Sequence, residues 1–361
     1  MKIAIDAREL AGAPTGVGRY LGEILRAWGS LPGAAAHELI VCAPGDVTVP
    51  DGNLQVSLRT APGRGTLWEQ RVLPRLAGEA DVLFAPGYTA PLRTRMPTVV
   101  TIHDVSFAAH PEWFSWREGL RRRLLTRAAA RRAARVITVS DFSKREIIWH
   151  LGAAPEKIDV IYSGATGWRG PADAGAAARE PRVLYVGSLF NRRHIPELIA
   201  AFARLAQRHP DARLDIVGDN RTRPRIDVAA LIAASGAADR IRARSYVSDA
   251  ELAALYAQAS AFVFLSDYEG FALTPLEALG ASLPVALLET EVAREIYGPA
   301  ALYVEHADPD PIAAALERLL YDDRERARLV AAGRTQLARY SWQECAQRTL
   351  QVLLASAARR R

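Results

Sequence analysis

Cysteine, lysine and long apolar runs are scarce or missing in this chain. Of its 361 residues only Cys42 and Cys345 are cysteine. They fall in what read as a strand and a helix, with no metal-ligand spacing and no CxxC pair, so neither is a candidate metal ligand, redox group or nucleophile. Such sparse use fits a reduced compartment. No apolar stretch approaches the roughly 20 residues that cross a bilayer, which removes the membrane-spanning classes. The opening Met1-Lys2-Ile3-Ala4-Ile5-Asp6 already reads as a strand, with no room for a signal peptide. A cytoplasmic protein is the expectation.

Only Lys2, Lys144 and Lys157 of the 46 basic residues are lysine. With abundant alanine, that lopsided choice reads as compositional bias, so the net charge of +6 and pI near 9.5 are not taken as a nucleic-acid signal. A composition 50% hydrophobic and 24% charged is that of a globular protein, and 361 residues suffice for two domains with full cores.

Charge does cluster locally. Between Trp113 and Arg135 stand Arg117, Arg121, Arg122, Arg123, Arg127, Arg131, Arg132 and Arg135, against Glu112 and Glu118. On a helix most of these fall within half the circumference, together with Leu120 and Leu124. One reading is a solvated face. The other is contact with anionic lipid headgroups or a lipid-linked acceptor, aided by Trp113, Phe114 and Trp116, which would make the protein peripheral at the inner face of the membrane.

Short apolar runs alternate with helical patterns: Ile3 to Ile5, Leu39 to Cys42, Asp81 to Phe84, Thr98 to Ile102 and Val136 to Val139. A second series follows, Val183 to Val186, Leu214 to Val217, Ile241 to Tyr246, Ala261 to Leu265, Pro284 to Leu288 and Ala300 to Val304. Both series predict mostly parallel sheets covered by helices. The Gly-, Ala- and Pro-rich stretch after Tyr162 is the linker candidate. The expected domains are 1–163, with a last helix over 341–361, and 181–340, joined by 164–180.

The richest segment is Asp267-Tyr268-Glu269-Gly270-Phe271-Ala272-Leu273-Thr274-Pro275-Leu276-Glu277-Ala278-Leu279-Gly280, the loop and helix of a β-α-β unit with two acids at the carboxyl end of a strand, where ligands of such sheets collect. A plainer reading is also open: Thr274 as N-cap, Pro275 first and Glu277 third make a capping box. After the first strand, Pro14-Thr15-Gly16-Val17-Gly18 places glycines before a helix start suited to an anion, without the G-x-G-x-x-G spacing of a dinucleotide fold. Arg192 and Arg193 follow another strand, either as partners for a diphosphate or as surface arginines. His103-Asp104 follows a third. Ser143 with Glu146, and Ser248 with Glu251, read as capping boxes.

Glu-Gly-Phe-Ala-Leu-Thr-Pro-Leu-Glu-Ala-Leu-Gly-Ala-Ser-Leu-Pro-Val, from Glu269 to Val285, resembles the signature of the family 4 retaining glycosyltransferases. The resemblance runs from Met1 to about Leu354 and implies a GT-B fold: α/β, two Rossmann-like domains facing each other across a cleft, the last helix crossing back to the N-terminal domain. It implies a nucleotide-sugar donor, a saccharide or lipid-linked acceptor, retention of configuration, and neither metal nor cofactor. By resemblance, Gly16 and Gly18 lie over the donor, Arg192 and Arg193 hold its diphosphate, Glu269 its sugar hydroxyls and Glu277 its ribose. Gly270, Phe271, Ala272 and Leu273 bring backbone to it, Tyr246 and Val247 lie along the nucleobase, and His103, with Asp104 orienting its ring, sits near the anomeric carbon. The wording is most similar to mannosyltransferases of bacterial polysaccharide assembly, which favours GDP-mannose. Ala272 and Thr274 stand where glycine and proline are usual, and Arg193 where lysine is. Those departures leave open a catalytically idle subunit that binds sugar nucleotide or membrane. An NAD-dependent oxidoreductase would share the sheet but lacks its fingerprint.

Overall fold

The computed structural model describes residues 1–12, 16–165 and 179–358. Its contacts divide the chain into two units, Met1–Gly164 with Tyr340–Arg361, and Ala165–Arg339. Most of the segment expected as the linker lies outside the described residues.

The first unit is built on seven strands, β1 (Lys2–Asp6), β2 (Glu38–Ala43), β3 (Gln55–Thr60), β4 (Val82–Ala85), β5 (Thr98–Thr101), β6 (Arg135–Thr138) and β7 (Ile158–Val160). All pair in parallel, in the order β3-β2-β1-β4-β5-β6-β7. The second holds β8 (Arg182–Val186), β9 (Arg213–Val217), β10 (Ile241–Arg244), β11 (Ala261–Phe264), β12 (Val285–Leu288) and β13 (Ala301–Val304), parallel in the order β10-β9-β8-β11-β12-β13. Helices connect most of the strands, as parallel crossovers require. The central strands β4, β5, β11 and β12 are buried along their whole length, which is why β4, β11 and β12 read as unbroken apolar runs. In each sheet the winding reverses once, between β1 and β4 and between β8 and β11. Loops leaving neighbouring strands diverge there, so those carboxyl ends are where a Rossmann-like sheet offers a site.

After Arg339 the chain returns to the first unit. The helix Trp342–Ala358 buries Trp342, Cys345, Leu350 and Leu353. Trp28 Nε1 donates to the Ala346 carbonyl at 2.8 Å, and the ring of Tyr20 meets Trp342 edge-on at 6.1 Å. A Cβ on Gly164 would lie 2.3 Å from the Trp342 nitrogen, so the absence of a side chain at Gly164 lets the returning helix seat. The architecture is GT-B in kind, two Rossmann-like domains with the last helix crossing back.

Several local expectations need correction. The helix of the basic segment covers Trp116–Arg132. Arg135 is instead the first residue of β6, where its Nε donates to Asp159 at 2.7 Å. The helix Asp141–Leu151 is capped by Ser140, whose hydroxyl accepts from the Ser143 amide, so Ser143 and Glu146 form no capping box. The Ser248–Glu251 box is present in full.

Candidate functional site

The loops leaving β8 and β11 form a polar cluster at the switch point of the second sheet. After β8, Gly187 passes so close to the Arg193 guanidinium that a Cβ would sit 2.8 Å from Nη1. A short turn, Asn191–Arg193, then His194 with φ of 49°, lead into the helix Ile195–Arg208. Arg193 donates through Nη1 to the Ser188 carbonyl at 2.8 Å, and through Nε and Nη2 to Glu269 Oε1 at 3.0 and 2.8 Å. Its guanidinium lies 4.7 Å from the Phe264 ring centre. Burial opposes the charge on Arg193, but Glu269 outweighs it and holds the group protonated. Sequence reasoning had assigned Arg193 to a diphosphate and Glu269 to a sugar; the structure joins them in one ion pair.

Arg192 is placed differently. Its guanidinium stacks 4.4 Å from the Phe190 ring, and Nε donates to the Tyr268 carbonyl at 3.2 Å. Ser266 Oγ also donates to Glu269 Oε1, at 2.8 Å. The three bonds that reach Glu269, two from Arg193 and one from Ser266, all fall on Oε1 and none on Oε2. Glu269 is thus a largely buried carboxylate with one oxygen anchored and the other available for hydroxyl donors.

Beyond it the backbone reverses. Ala272 adopts φ 62° and ψ 93°, and the helix runs Leu273–Gly280 with no side-chain cap. Thr274 is therefore inside the helix, Glu277 is its fifth residue, and the expected capping box does not form. Tyr297 donates its hydroxyl to the Ala272 carbonyl, which fixes the strained residue from behind. Glu277 Oε2 accepts from the Tyr256 hydroxyl at 3.4 Å. Gly270 and Phe271 are buried while Leu273 is half-buried, so this segment offers chiefly backbone and the amide end of a helix, a setting suited to anions. On the loop after β10, Val247 is buried and Tyr246 is 75% exposed.

The first unit gathers another polar set where β1, β4 and β5 end. Gly16 opens the helix Gly16–Gly29 and Gly18 is buried in its first turn; Pro14 and Thr15 lie outside the described residues. His103 Nε2 donates to the Pro86 carbonyl at 2.8 Å, while Tyr20 packs edge-on against its ring. Burial lowers the His103 pKa despite that bond and the nearby Asp104, so the ring is neutral at physiological pH. The Asp104 carboxylate accepts from the Tyr88 hydroxyl at 2.6 Å and from the Ser106 amide at 2.8 Å. The imidazole thus spends Nε2 on the Pro86 carbonyl, and Asp104 acts on the ring through its nearby charge. Sequence reasoning missed Arg8, which bridges Asp6 and Glu69. Burial, against the pull of Arg8, pushes Asp6 up to about 6.

Among the described residues no three His, Cys, Asp or Glu side chains are grouped to hold a metal ion, and no helix is long and apolar enough to cross a membrane. Asp308 and Asp310 stand at a helix entrance, as their Pro309-spaced sequence indicates. On the basic helix, Trp116, Leu120 and Leu124 are 72%, 48% and 60% exposed.

The family described as Glycosyl transferases group 1 matches residues 170–336, and Glycosyltransferase Family 4 matches residues 14–166. The MMP alpha-(1->4)-mannosyltransferase of Mycolicibacterium hassiacum is 30% identical over 320 residues, 82% of this chain and 76% of that protein. The chain belongs to the group 1 and family 4 glycosyltransferases. A second relative of this glycosyltransferase, the O-antigen chain mannosyltransferase B of Escherichia coli, is 28% identical over 279 residues, 74% of this chain and 73% of that one. Among solved structures, Anabaena Alr3699/HepE in complex with UDP-glucose superposes with a TM-score of 0.76 over 98% of this chain and 100% of that one, at 21% identity. That likeness is one of fold.

Proposed function

We propose that this glycosyltransferase moves a hexose, mannose in our reading, from a nucleoside-diphosphate sugar to a hydroxyl acceptor with retention of configuration. The observation that carries the reading is the anchored Glu269 beside Arg192, at the switch point of the second sheet and next to the amide end of the helix Leu273–Gly280. Breaking the bond from the anomeric carbon to phosphate leaves charge on the diphosphate, and fixed donors aimed there lower the barrier without reorganising. Arg192 and the amides of Gly270 to Leu273 supply such donors. The second oxygen of Glu269 accepts from sugar hydroxyls, and Glu277 accepts from ribose.

Arg193 acts chiefly by orienting Glu269. In the first unit, neutral His103 has Nε2 committed to Pro86, so its other nitrogen is a hydrogen-bond acceptor able to orient a hydroxyl. Retention then follows from front-face attack: the acceptor oxygen bonds the anomeric carbon as the phosphate oxygen leaves, and that oxygen takes the acceptor proton. Mannose and GDP rest on the names of the relatives and on the wording of the Glu269 segment.

The acceptor we infer is lipid-linked and met at an anionic membrane. Supporting this is the apolar row Trp116, Leu120 and Leu124 at four-residue spacing, exposed beside exposed Arg117, Arg121, Arg123 and Arg127, the composition of a helix that lies in an interface. Incubation with GDP-mannose, UDP-glucose, ADP-glucose and dTDP-glucose tests the core of the reading. Release of nucleoside diphosphate from one donor, accelerated by a polyprenol-linked saccharide, is the expected result. Binding without release in every case would establish an idle subunit instead.

A further inference from the structure

Two loops that carry the donor-facing residues are sewn together by four successive contacts. The Asp267 amide donates to the Arg192 carbonyl at 3.0 Å, Arg192 donates to the Tyr268 carbonyl, and Arg193 grips Glu269. The fourth is at the outer end, where His194 Nε2 donates to Asp267 Oδ2 at 2.9 Å. His194 stands in the left-handed region, uncommon for any residue but glycine although histidine, asparagine and aspartate enter it more often than most. Strain of that kind persists where surrounding contacts over-determine it.

We propose that His194 is a positioning residue, bolting the Arg192–Arg193 turn to the Glu269 loop through Asp267 and so setting the geometry in which the two loops receive the donor. This rests on the reading of the site given above. The position suits a bolt. The ring leaves the chain immediately after the two arginines, and Asp267 leaves it two residues before Glu269, so loosening either end frees both loops. Glu197, one turn into the following helix, lies 3.7 Å from Nδ1, and the ring therefore sits among two carboxylates, with Arg192 and Arg193 on its own turn. Burial works against its charge, but the bonds to Asp267 and Glu197 prevail and raise its pKa to about 9. The bolt is thus an ion pair at neutral pH.

The test compares the full-length wild type with His194→Gln, His194→Asn and Asp267→Asn, asparagine being included because it tolerates the left-handed conformation. Amide hydrogen exchange at pH 7 reads the bolt without any substrate. Each single substitution is expected to speed exchange in both segments 188–194 and 266–271, although it alters only one of them. Donor kinetics with GDP-mannose and UDP-glucose read positioning. kcat/KM should fall on the order of tenfold, mostly through KM, and the wild-type advantage over His194→Gln should shrink as pH rises from 7 to 10, a ratio in which titration of the nucleotide cancels. Exchange confined to the altered segment, or kcat/KM within about twofold of wild type, overturns the proposal. If the wild type releases no diphosphate from any donor, the assigned activity fails. Exchange, together with calorimetric affinities for GDP and UDP, then decides the bolt by itself.

Discussion

Arg193 and Glu269 come from loops 76 residues apart in sequence, and their side chains meet through two hydrogen bonds, at 3.0 and 2.8 Å, on a single carboxylate oxygen. Both side chains are largely buried, at 11% and 17% exposure. The pair cross-links the loops after β8 and β11, and it turns Glu269 from a loop acid into a fixed one. Removing one partner of a buried pair strands the other, at a cost of about 3 kcal/mol.

Glu269→Ala and Arg193→Ala are each expected to lower stability by roughly that amount in denaturant titrations, and the double variant to lose well under the sum. Arg193→Lys should recover less than half of the loss, since an ammonium cannot match the paired donors of the guanidinium. Additive losses in the double variant would show that the contact contributes no coupling.

Ala272 gives a prediction of opposite sign. Its φ of 62° costs an L-residue on the order of 1 kcal/mol, part of which glycine would return as greater freedom of the unfolded chain. Ala272→Gly is expected to stabilise the protein by about 0.5 kcal/mol, and Ala272→Val to destabilise it. Chemical denaturation of the three proteins checks the order.

The pH dependence of stability follows from His194. Its pKa is raised from 6.5 to about 9 in the folded protein, so the native state holds the proton more tightly. Its contribution is complete below about pH 6.5 and disappears as pH climbs to about 9. After allowance for solvent screening we expect about 1 kcal/mol to be lost between pH 6.5 and 9.5 in the wild type beyond any loss in His194→Gln. Equal losses in the two proteins would mean that the ring does not titrate in this way.

Flotation with vesicles of anionic and of neutral lipid tests the basic helix. Salt-sensitive binding to the anionic vesicles is expected, weakened at least about tenfold when Arg117, Arg121, Arg123 and Arg127 become glutamine, and weakened also by Trp116→Ala. Wild-type binding that ignores lipid charge would dismiss the assignment.

The elements most legible in the sequence were those whose signal is local. β4, β8, β11 and β12 are buried apolar runs, and the family wording around Glu269 identified the loop that the fold places at a switch point. β3 was not seen because it is an edge strand, with Val56 and Leu58 39% and 44% exposed and no apolar run to mark it. The start of the helix after Ala272 was misplaced because Thr274-Pro275 has the composition of a helix entrance, whereas the observed entrance depends on a positive φ that alanine does not announce. The pairings of Arg193 with Glu269, His194 with Asp267 and Arg8 with Glu69 link segments distant in the chain, and residue types alone carry no trace of such partners. Thr89, whose hydroxyl donates to Glu69 at 2.7 Å, escaped for the same reason.

A crystal structure of the protein with bound GDP, compared with a calorimetric titration of Glu277→Gln, tests the central claim most directly. The account expects the diphosphate within hydrogen-bonding distance of Arg192 and of the amides from Gly270 to Leu273, the ribose hydroxyls on Glu277, and affinity lowered about tenfold or more by the substitution. Nucleotide bound away from the loops after β8 and β11, with Glu277→Gln binding as tightly as the wild type, would contradict it.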